Sequence, residues 1–372
     1  MEFLIPKNKN TFQIPLITIE KTKKIIKNLK NSNSTGHDLL NNKILKRINH
    51  ILAPHVTHLV NSIIITNTFP DIFKISRILP LSKPNKPTSE LESFRPINNL
   101  MCLEKIFEEY FKQCLVIFLN DNNIINKDHH GAIKHHSTTT ALTVINNKLI
   151  QNYENNKISA LLSTDLSAAY DTIDNNILLS KLEHYGIRGN PLLLIKSYLT
   201  DRKQFVQLET FNSDTTDALP CSCVQGSKLS SLLYTLYTNE IPLLYKLLNN
   251  TLYTTITGQN IIQFKNIQHL TINFVDDSNN VITFNDQNQL KTYLESYYKL
   301  LHSFYDINKL KINPDKTNLL LIYKDKYTQT LKNFHFMAEK YKIYSKNTIK
   351  ILGFYIQSDL KLDTEINKLV ST

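Results

Sequence analysis

Leu270-Thr271-Ile272-Asn273-Phe274-Val275-Asp276-Asp277-Ser278-Asn279-Asn280-Val281-Ile282-Thr283-Phe284 sets two adjacent carboxylates between two short apolar runs. The β-branched and aromatic residues of Leu270 to Val275 and of Val281 to Phe284 predict two strands, and Asp277-Ser278-Asn279-Asn280 has turn composition. The stretch reads as a β-hairpin with acids at its tip. Neighbouring carboxylates repel each other, and a hard divalent cation such as Mg²⁺, which takes oxygen ligands, is the usual reason to hold them together. Asp is also a common turn residue, so Asp-Asp alone reads first as a solvated turn. The rest of the chain changes that weighing.

The chain has 372 residues, 41% hydrophobic and 20% charged, which is globular composition with room for two or three subdomains. A formal charge of +11 points to a polyanionic partner, nucleic acid before membrane. That argument is discounted because Lys, Asn and Ile are abundant together while Gly numbers only 7, as in an AT-rich genome. Of Cys102, Cys114, Cys221 and Cys223 only the last two lie close, and no second pair completes a tetrahedral zinc site, so reduced thiols are expected. Met1 to Pro6 shows no basic segment followed by an apolar core, and no run approaches the ~18 apolar residues of a membrane span. The expectation is an intracellular chain, nuclear or cytoplasmic, neither secreted nor membrane-spanning.

In chain order, residues 1–20 read as an extended or poorly ordered arm. Helices are expected over Lys21 to Lys30, from Asp38 to about Leu52, and from Pro54 to about Asn67. Ile75 to Leu81 reads as a strand, followed by a turn carrying Lys83 and Lys86, then Phe94-Arg95-Pro96-Ile97 and an amphipathic helix to about Leu119. From the charges alone, a solvated loop is the plainer reading of that turn and a phosphate-facing finger the functional one. His129-His130 and His135-His136 lack the Cys or carboxylate pattern of a zinc site and read as a polar loop near nucleic acid. Ile158 to Leu166 is a strand ending in Asp165, and Asp165-Leu166-Ser167-Ala168-Ala169-Tyr170-Asp171 forms a strand-to-helix junction where phosphates can approach backbone N–H groups. Helices are expected over Asn175 to Tyr185, Pro191 to Leu199 and Leu229 to Asn239, and strands over Gln204 to Leu208 and Leu219 to Val224. Residues 249–269 look like a polar surface insertion. A long helix, about Gln287 to Ile307, follows the hairpin. Asn313-Pro314-Asp315-Lys316-Thr317 turns into a strand to Tyr323, and Thr348 to Ile356 is a strand containing Gly353.

Taken together, Asp165, Gln225-Gly226 and Asp276-Asp277 make the chain resemble a reverse transcriptase, with the strongest likeness to the non-LTR, LINE-like or jockey-type, retrotransposon enzymes. The likeness runs in order over roughly residues 20–365. Gly36-His37-Asp38 and Phe69-Pro70-Asp71-Ile72-Phe73-Lys74 resemble the family's "GxD" and "fPxxwK" segments. Lys83 with Phe94-Arg95-Pro96-Ile97 is similar to its finger element. His130-Gly131 through Ser137-Thr138 resembles "QxGFrxxrST", with Ala132 and Ile133 in place of the Phe and Arg. Asp165 to Asp171 is similar to "DlskAFD", and Phe274-Val275-Asp276-Asp277 to "YADD". Gln225-Gly226-Ser227 resembles "PQGsxLsPlLF", although Val224 and Ser231 replace its prolines. Asn313 to Thr317 is similar to "npxKT" and Ile351-Leu352-Gly353 to "yLG".

The resemblance implies an α+β right-hand polymerase: fingers and N-terminal helices over 21–157, a palm over 158–325 whose antiparallel sheet is backed by helices, and a primer-grip region over 326–372 that begins a truncated thumb. It implies RNA-directed DNA synthesis from an RNA template, a DNA primer and dNTPs, with two Mg²⁺ ions, Mn²⁺ substituting. Two such cations, roughly 3.5–4 Å apart, clamp the attacking and leaving oxygens of phosphoryl transfer. Asp165 and Asp276 are the expected principal ligands, Asp277 ligates or orients, and the Leu166 carbonyl completes the set. Nucleotide contacts fall to Lys83, Arg95, Ala168, Ala169, Tyr170, Gln225, Gly226 and Lys316, and the primer grip to Leu352 and Gly353. A ring at Tyr170 collides with a 2′-hydroxyl, which selects deoxynucleotides and disfavours an RNA-dependent RNA polymerase. Gln225-Gly226 lets backbone approach the nascent pair where a Cβ would obstruct. A missing thumb implies low processivity. The competing reading is a catalytically inactive, truncated or domesticated relative that binds nucleic acid; the lost prolines near Gln225, the altered Ala132-Ile133 and the expected lack of a thumb favour it, while retention of Asp165, Asp276, Asp277 and Tyr170 together favours at least a preserved site.

Overall fold

The computed structural model describes residues 3–83, 87, 89–90, 93–131, 133, 135–166, 172–208, 211–218, 226–250, 253–254, 261–262, 264 and 266–371. The helices are α1 (Ile19–Asn28), α2 (Asn42–Arg47), α3 (Asn49–Thr66), α4 (Cys102–Asp121), α5 (Thr138–Glu154), α6 (Asn175–His184), α7 (Asn190–Leu199), α8 (Ser230–Tyr237), α9 (Tyr245–Asn250), α10 (Leu290–Ile307), α11 (Thr328–Leu331) and α12 (Asp363–Ser371). The strands are β1 (Ile75–Ser82), β2 (Phe94–Asn99), β3 (Ile158–Thr164), β4 (Lys203–Leu208), β5 (Phe211–Asn212), β6 (Thr216–Asp217), β7 (Tyr253–Thr254), β8 (Ile261–Ile262), β9 (Gln268–Phe274), β10 (Asp277–Phe284), β11 (Asn318–Ile322), β12 (His335–Ala338), β13 (Tyr341–Lys346), β14 (Thr348–Ile351) and β15 (Phe354–Gln357). The chain is mixed α+β and divides into two compact units, one of Met1–Ile5, Asn126–Ala169 and Thr238–Thr372, the other of Pro6–Ile125 and Tyr170–Tyr237. Among the described residues no helix is long and apolar enough to cross a membrane.

The first unit is built on a sheet of order β12-β13-β11-β3-β10-β9, in which β3 runs antiparallel to β10 and β11 while β11 and β13 are parallel. Alternation along each strand gives the sheet two apolar faces. One receives α5: Ala141, Ile145 and Leu149, at helical spacing, bury against Leu161, Val281 and Leu320. Ser137 caps that helix and shares a capping box with Thr140. The opposite face receives α10, where Tyr297 reaches Asn280, the strand neighbour of Val281. α10 buries Leu290, Tyr293, Leu294, Tyr297, Leu301 and Tyr305, a stripe that repeats every three to four residues. Burial of such side chains stabilises by roughly 1.5–3 kcal/mol each. Central β3 is thus covered on both sides, and six of its seven residues are buried.

The second unit carries a smaller sheet, β2-β1-β4-β5 with β6 also on β4, in which β1 pairs antiparallel with β2 and parallel with β4. Its core is aromatic, with Phe69 packed on Phe73, Phe107 and Tyr198 at 5.0–5.8 Å between ring centroids. The arm is extended but not loose. The Asn8 and Phe12 N–H groups donate to His184 and Gly186 carbonyls, and the Phe12 ring packs on Phe111 and Phe118.

Several local expectations shift. Asn41, not Asp38, caps α2, and the helix stops at Arg47, so that α3 begins five residues before Pro54 and holds the proline inside. Thr348 to Ile356 is not one strand but a hairpin turning at Leu352-Gly353, both at positive φ (50° and 88°), as a type I′ turn requires. The expected strand Leu219 to Val224 lies outside the described residues.

Candidate active site

The acid hairpin turns three residues earlier than its composition indicates. Phe274 pairs with Asp277, so the loop is Val275-Asp276, and Ser278, Asn279 and Asn280 are fully buried strand residues. Partners make this burial tolerable for Asn280, whose side-chain oxygen accepts from Thr271 (2.8 Å) and Tyr297 (2.7 Å) and pairs with the His269 ring (3.1 Å). Val275 sits at φ +57°, in the first central position of a two-residue hairpin. That position favours glycine, and a β-branched residue there is strained by roughly 1–3 kcal/mol. Gly131 holds the strained turn from outside, since a Cβ at 131 would lie 2.5 Å from the Val275 backbone nitrogen. The segment before Gly131 adds to β9: the His130 N–H donates to the Asn273 carbonyl (2.7 Å) and the Asn273 N–H to the Asp128 carbonyl (3.0 Å).

The turn's position sets the acids. β3 and β10 pair antiparallel with Thr164 opposite Ser278, so one step further Asp165 faces Asp277, with Asp276 beside it at the tip. Asp165 is anchored by its carbonyl, which accepts from the Asn313 N–H (2.9 Å), and Leu166 bridges to Ile312. Asn313 then caps the short 3-10 turn Pro314–Lys316, from which the Lys316 ammonium reaches the Asp165 carboxylate at 2.7 Å. Burial raises the Asp277 carboxyl to about 6, Asp276 and Asp165 add repulsion, and Lys316 opposes both. Burial likewise raises Asp276, with Asp165 contributing. Carboxyls held this way favour a counter-charge between them.

An all-oxygen donor set of three carboxylates and a nearby carbonyl suits a hard cation. As placed, no three His, Cys, Asp or Glu side chains among the described residues are arranged to hold an ion, and the Asp165 carboxylate is engaged by Lys316 instead. The polar His loop is ordered by its own contacts: the His130 and His136 rings stack at 4.5 Å, His130 meets Thr140 at 3.1 Å, and His136 meets the His129 carbonyl at 3.0 Å.

The second unit brings other expected residues together. Arg95 lies exposed on β2 opposite Leu81, and Lys83, just past β1, donates its N–H to the Ser93 carbonyl. Gly226 packs on the same strand at φ +99°, where a Cβ would stand 2.7 Å from the Asn98 carbonyl oxygen. Only glycine meets both conditions. Ala168, Ala169, Tyr170 and Gln225 lie outside the described residues. Leu352 and Gly353 form the β14–β15 turn in the first unit. Sequence reasoning placed Gly131 and Val275 in motifs but did not foresee that the glycine packs against a strained turn at the valine.

Comparison with known proteins accords with this arrangement. Residues 82–356 match the family model described as reverse transcriptase (RNA-dependent DNA polymerase). The chain belongs to that family. It is 27% identical over 232 residues, 61% of its length, to the probable RNA-directed DNA polymerase from transposon BS of Drosophila melanogaster. It is 28% identical over 212 residues, 57% of its length, to the probable RNA-directed DNA polymerase from transposon X-element of the same species. It is also 24% identical over 241 residues, 65% of its length, to the RNA-directed DNA polymerase from mobile element jockey. The chain spans about a quarter of the length of these curated relatives, 25%, 23% and 26%.

Proposed function

We propose that this chain is the RNA-directed DNA polymerase core of a non-LTR retroelement, which extends a DNA primer on an RNA template with dNTPs. The observation that carries the reading is the β3–β10 register, which supports a cluster of Asp165, Asp276 and Asp277 with Lys316 as its counter-charge. Asp165, Asp276, Asp277 and the Leu166 carbonyl would hold two Mg²⁺ ions, which supply Lewis-acid stabilisation of the attacking and leaving oxygens. In this reading the hairpin holds two carboxylates rigidly side by side at the sheet end. Lys316 faces the triphosphate's charge and gives a proton to the departing pyrophosphate. Gly226 lets backbone approach the nascent pair, Arg95 and Lys83 take the incoming nucleotide, Tyr170 excludes the 2′-hydroxyl, and Leu352-Gly353 steadies the primer end. Residues 21–157 then form the fingers and N-terminal helices and residues 158–325 the palm.

The test is extension of a DNA primer on RNA with dNTPs and Mg²⁺ or Mn²⁺, beside an Asp276→Asn, Asp277→Asn protein. Extension by the wild type that vanishes in the variant supports the reading. Salt-sensitive RNA binding by both with extension by neither sinks it in favour of an inactive nucleic-acid-binding relative.

A further inference from the structure

The second unit holds a charged cavity of its own. Lys21, Lys24 and Asn28 occupy one face of α1 at i, i+3 and i+7, and with Glu109 and Gln113 of α4 and with Lys228 they line a cavity of about 120 Å³. Ile25, one turn on from Lys21, lines the cavity as well, while Thr22 and Ile26 of α1 are buried. Among the described residues Glu109 is the one carboxylate lining the cavity, and both its oxygens are used, one by the Lys228 ammonium (2.5 Å) and one by the Gln113 amide (2.8 Å). Glu108 turns away to the Tyr198 hydroxyl and the Lys228 N–H. None of the ion pairs among the described residues involves Lys21 or Lys24. Burial also pulls the nearby Lys112 ammonium below its ordinary range, with Glu109 opposing and Lys228 adding.

We infer that this cavity is a phosphate-binding site that takes a backbone phosphate of the single-stranded RNA template. The choice of template RNA rests on the polymerase reading; the preference for a phosphate oxyanion rests on the lysines alone. Lys228 follows Gly226 by two residues, and Ser227 between them shares the Tyr198 hydroxyl at 2.8 Å. A phosphate in the cavity therefore sits on the same support as the glycine that approaches β2.

The experiment uses the full chain and a fluorescein-labelled single-stranded RNA, titrated across KCl concentrations, for wild type, K21Q/K24Q and K291Q/K299Q. Lys291 and Lys299 are exposed on α10 and remove equal charge elsewhere. One lost phosphate contact lowers the slope of log affinity against log salt by about 0.7 and the affinity at ~0.1 M salt by about fivefold. That result in K21Q/K24Q, with K291Q/K299Q unchanged and melting temperatures matched to wild type, supports the proposal. Inorganic phosphate at constant ionic strength is the second probe. If it raises the melting temperature of wild type but not of K21Q/K24Q while the RNA slopes agree, the template assignment is overturned in favour of free phosphate. Equal RNA slopes with no phosphate effect overturn the site altogether. Because binding needs no catalysis, a chain that shows the slope change yet extends no primer fails the polymerase reading alone.

Discussion

Gly131→Ala should destabilise the first unit and disable its acids, although alanine is the better residue by every local rule. Where space permits, Gly→Ala stabilises by about 0.4–1 kcal/mol through the unfolded chain. Here the new methyl meets the Val275 backbone nitrogen at 2.5 Å and its Cγ2 at 2.6 Å. A side-chain contact could yield by rotation, but a backbone nitrogen cannot. Retreat of the Gly131 segment is resisted by its hydrogen bonds to both sides of Asn273. Overpacking of this kind costs about 1–3 kcal/mol, so the net is a loss of roughly 0.5–2.5 kcal/mol. For a unit of this size each kcal/mol moves the melting temperature by about 2–4 °C. The displaced turn carries Asp276, and a shift of about 1 Å in reacting groups can cost about 100-fold in rate. Urea unfolding of wild type and variant, alongside primer extension, reads both effects. A variant that unfolds at higher urea than wild type and extends primer normally would refute the contact and the reasoning built on it.

Three further outcomes follow from the buried polar groups. His129 and His269 are each driven down to about 4, chiefly by burial, so both fold neutral. The unfolded chain binds the extra protons below about pH 6.5, so each histidine withdraws about 3 kcal/mol as pH drops from there toward 4, against the opposing proton uptake of the raised Asp277 carboxyl in the folded chain. His269→Gln should therefore lessen the loss of stability between about pH 6.5 and 4 relative to wild type in urea unfolding, and an unchanged pH dependence contradicts it. Glu104→Ala leaves the buried Arg202 guanidinium without the carboxylate it meets at 2.9 Å and should cost about 3–5 kcal/mol in the second unit, whereas an E104M/R202M protein should recover much of that in thermal melts. Asn280→Ala strips the acceptor from Thr271, His269 and Tyr297 together and should cost about 3 kcal/mol or more, measured by denaturant unfolding; a loss below about 1 kcal/mol would show that the network re-pairs.

Much of the architecture was legible because it is periodic. The apolar stripe of α10, the Ser137 cap and the β-branched and aromatic run of β9 are local patterns, and each appears within a few residues of where the sequence puts it. What was not legible depends on distant partners. The Lys316 ammonium and the Asp165 carboxylate meet across 151 residues, and they came together in the sequence only through motif order. Glu104 and Arg202 carry no sequence sign that they are buried as a pair, since each alone reads as a solvated charge on a helix or loop.

The misplaced turn shows how the two kinds of information interact. Ser278-Asn279-Asn280 is turn chemistry by composition, and a turn there would leave both aspartates on the first strand or ahead of the loop. His269, Thr271 and Tyr297 instead supply the partners that let Asn280 enter the core, and the strand lengthens back to Asp277. Because side chains alternate along a strand, that shift decides which carboxylate faces β3. With the turn at Val275-Asp276, Asp277 lies in register with Asp165 and Asp276 at the tip, at the expense of a strained Val275 backbone. Two carboxylates repelling within a half-buried turn and one β-branched residue at positive φ both oppose folding. Gly131 outside and the Asn280 network inside are what hold the arrangement, which is why substitutions at positions that touch no substrate are expected to reach the chemistry.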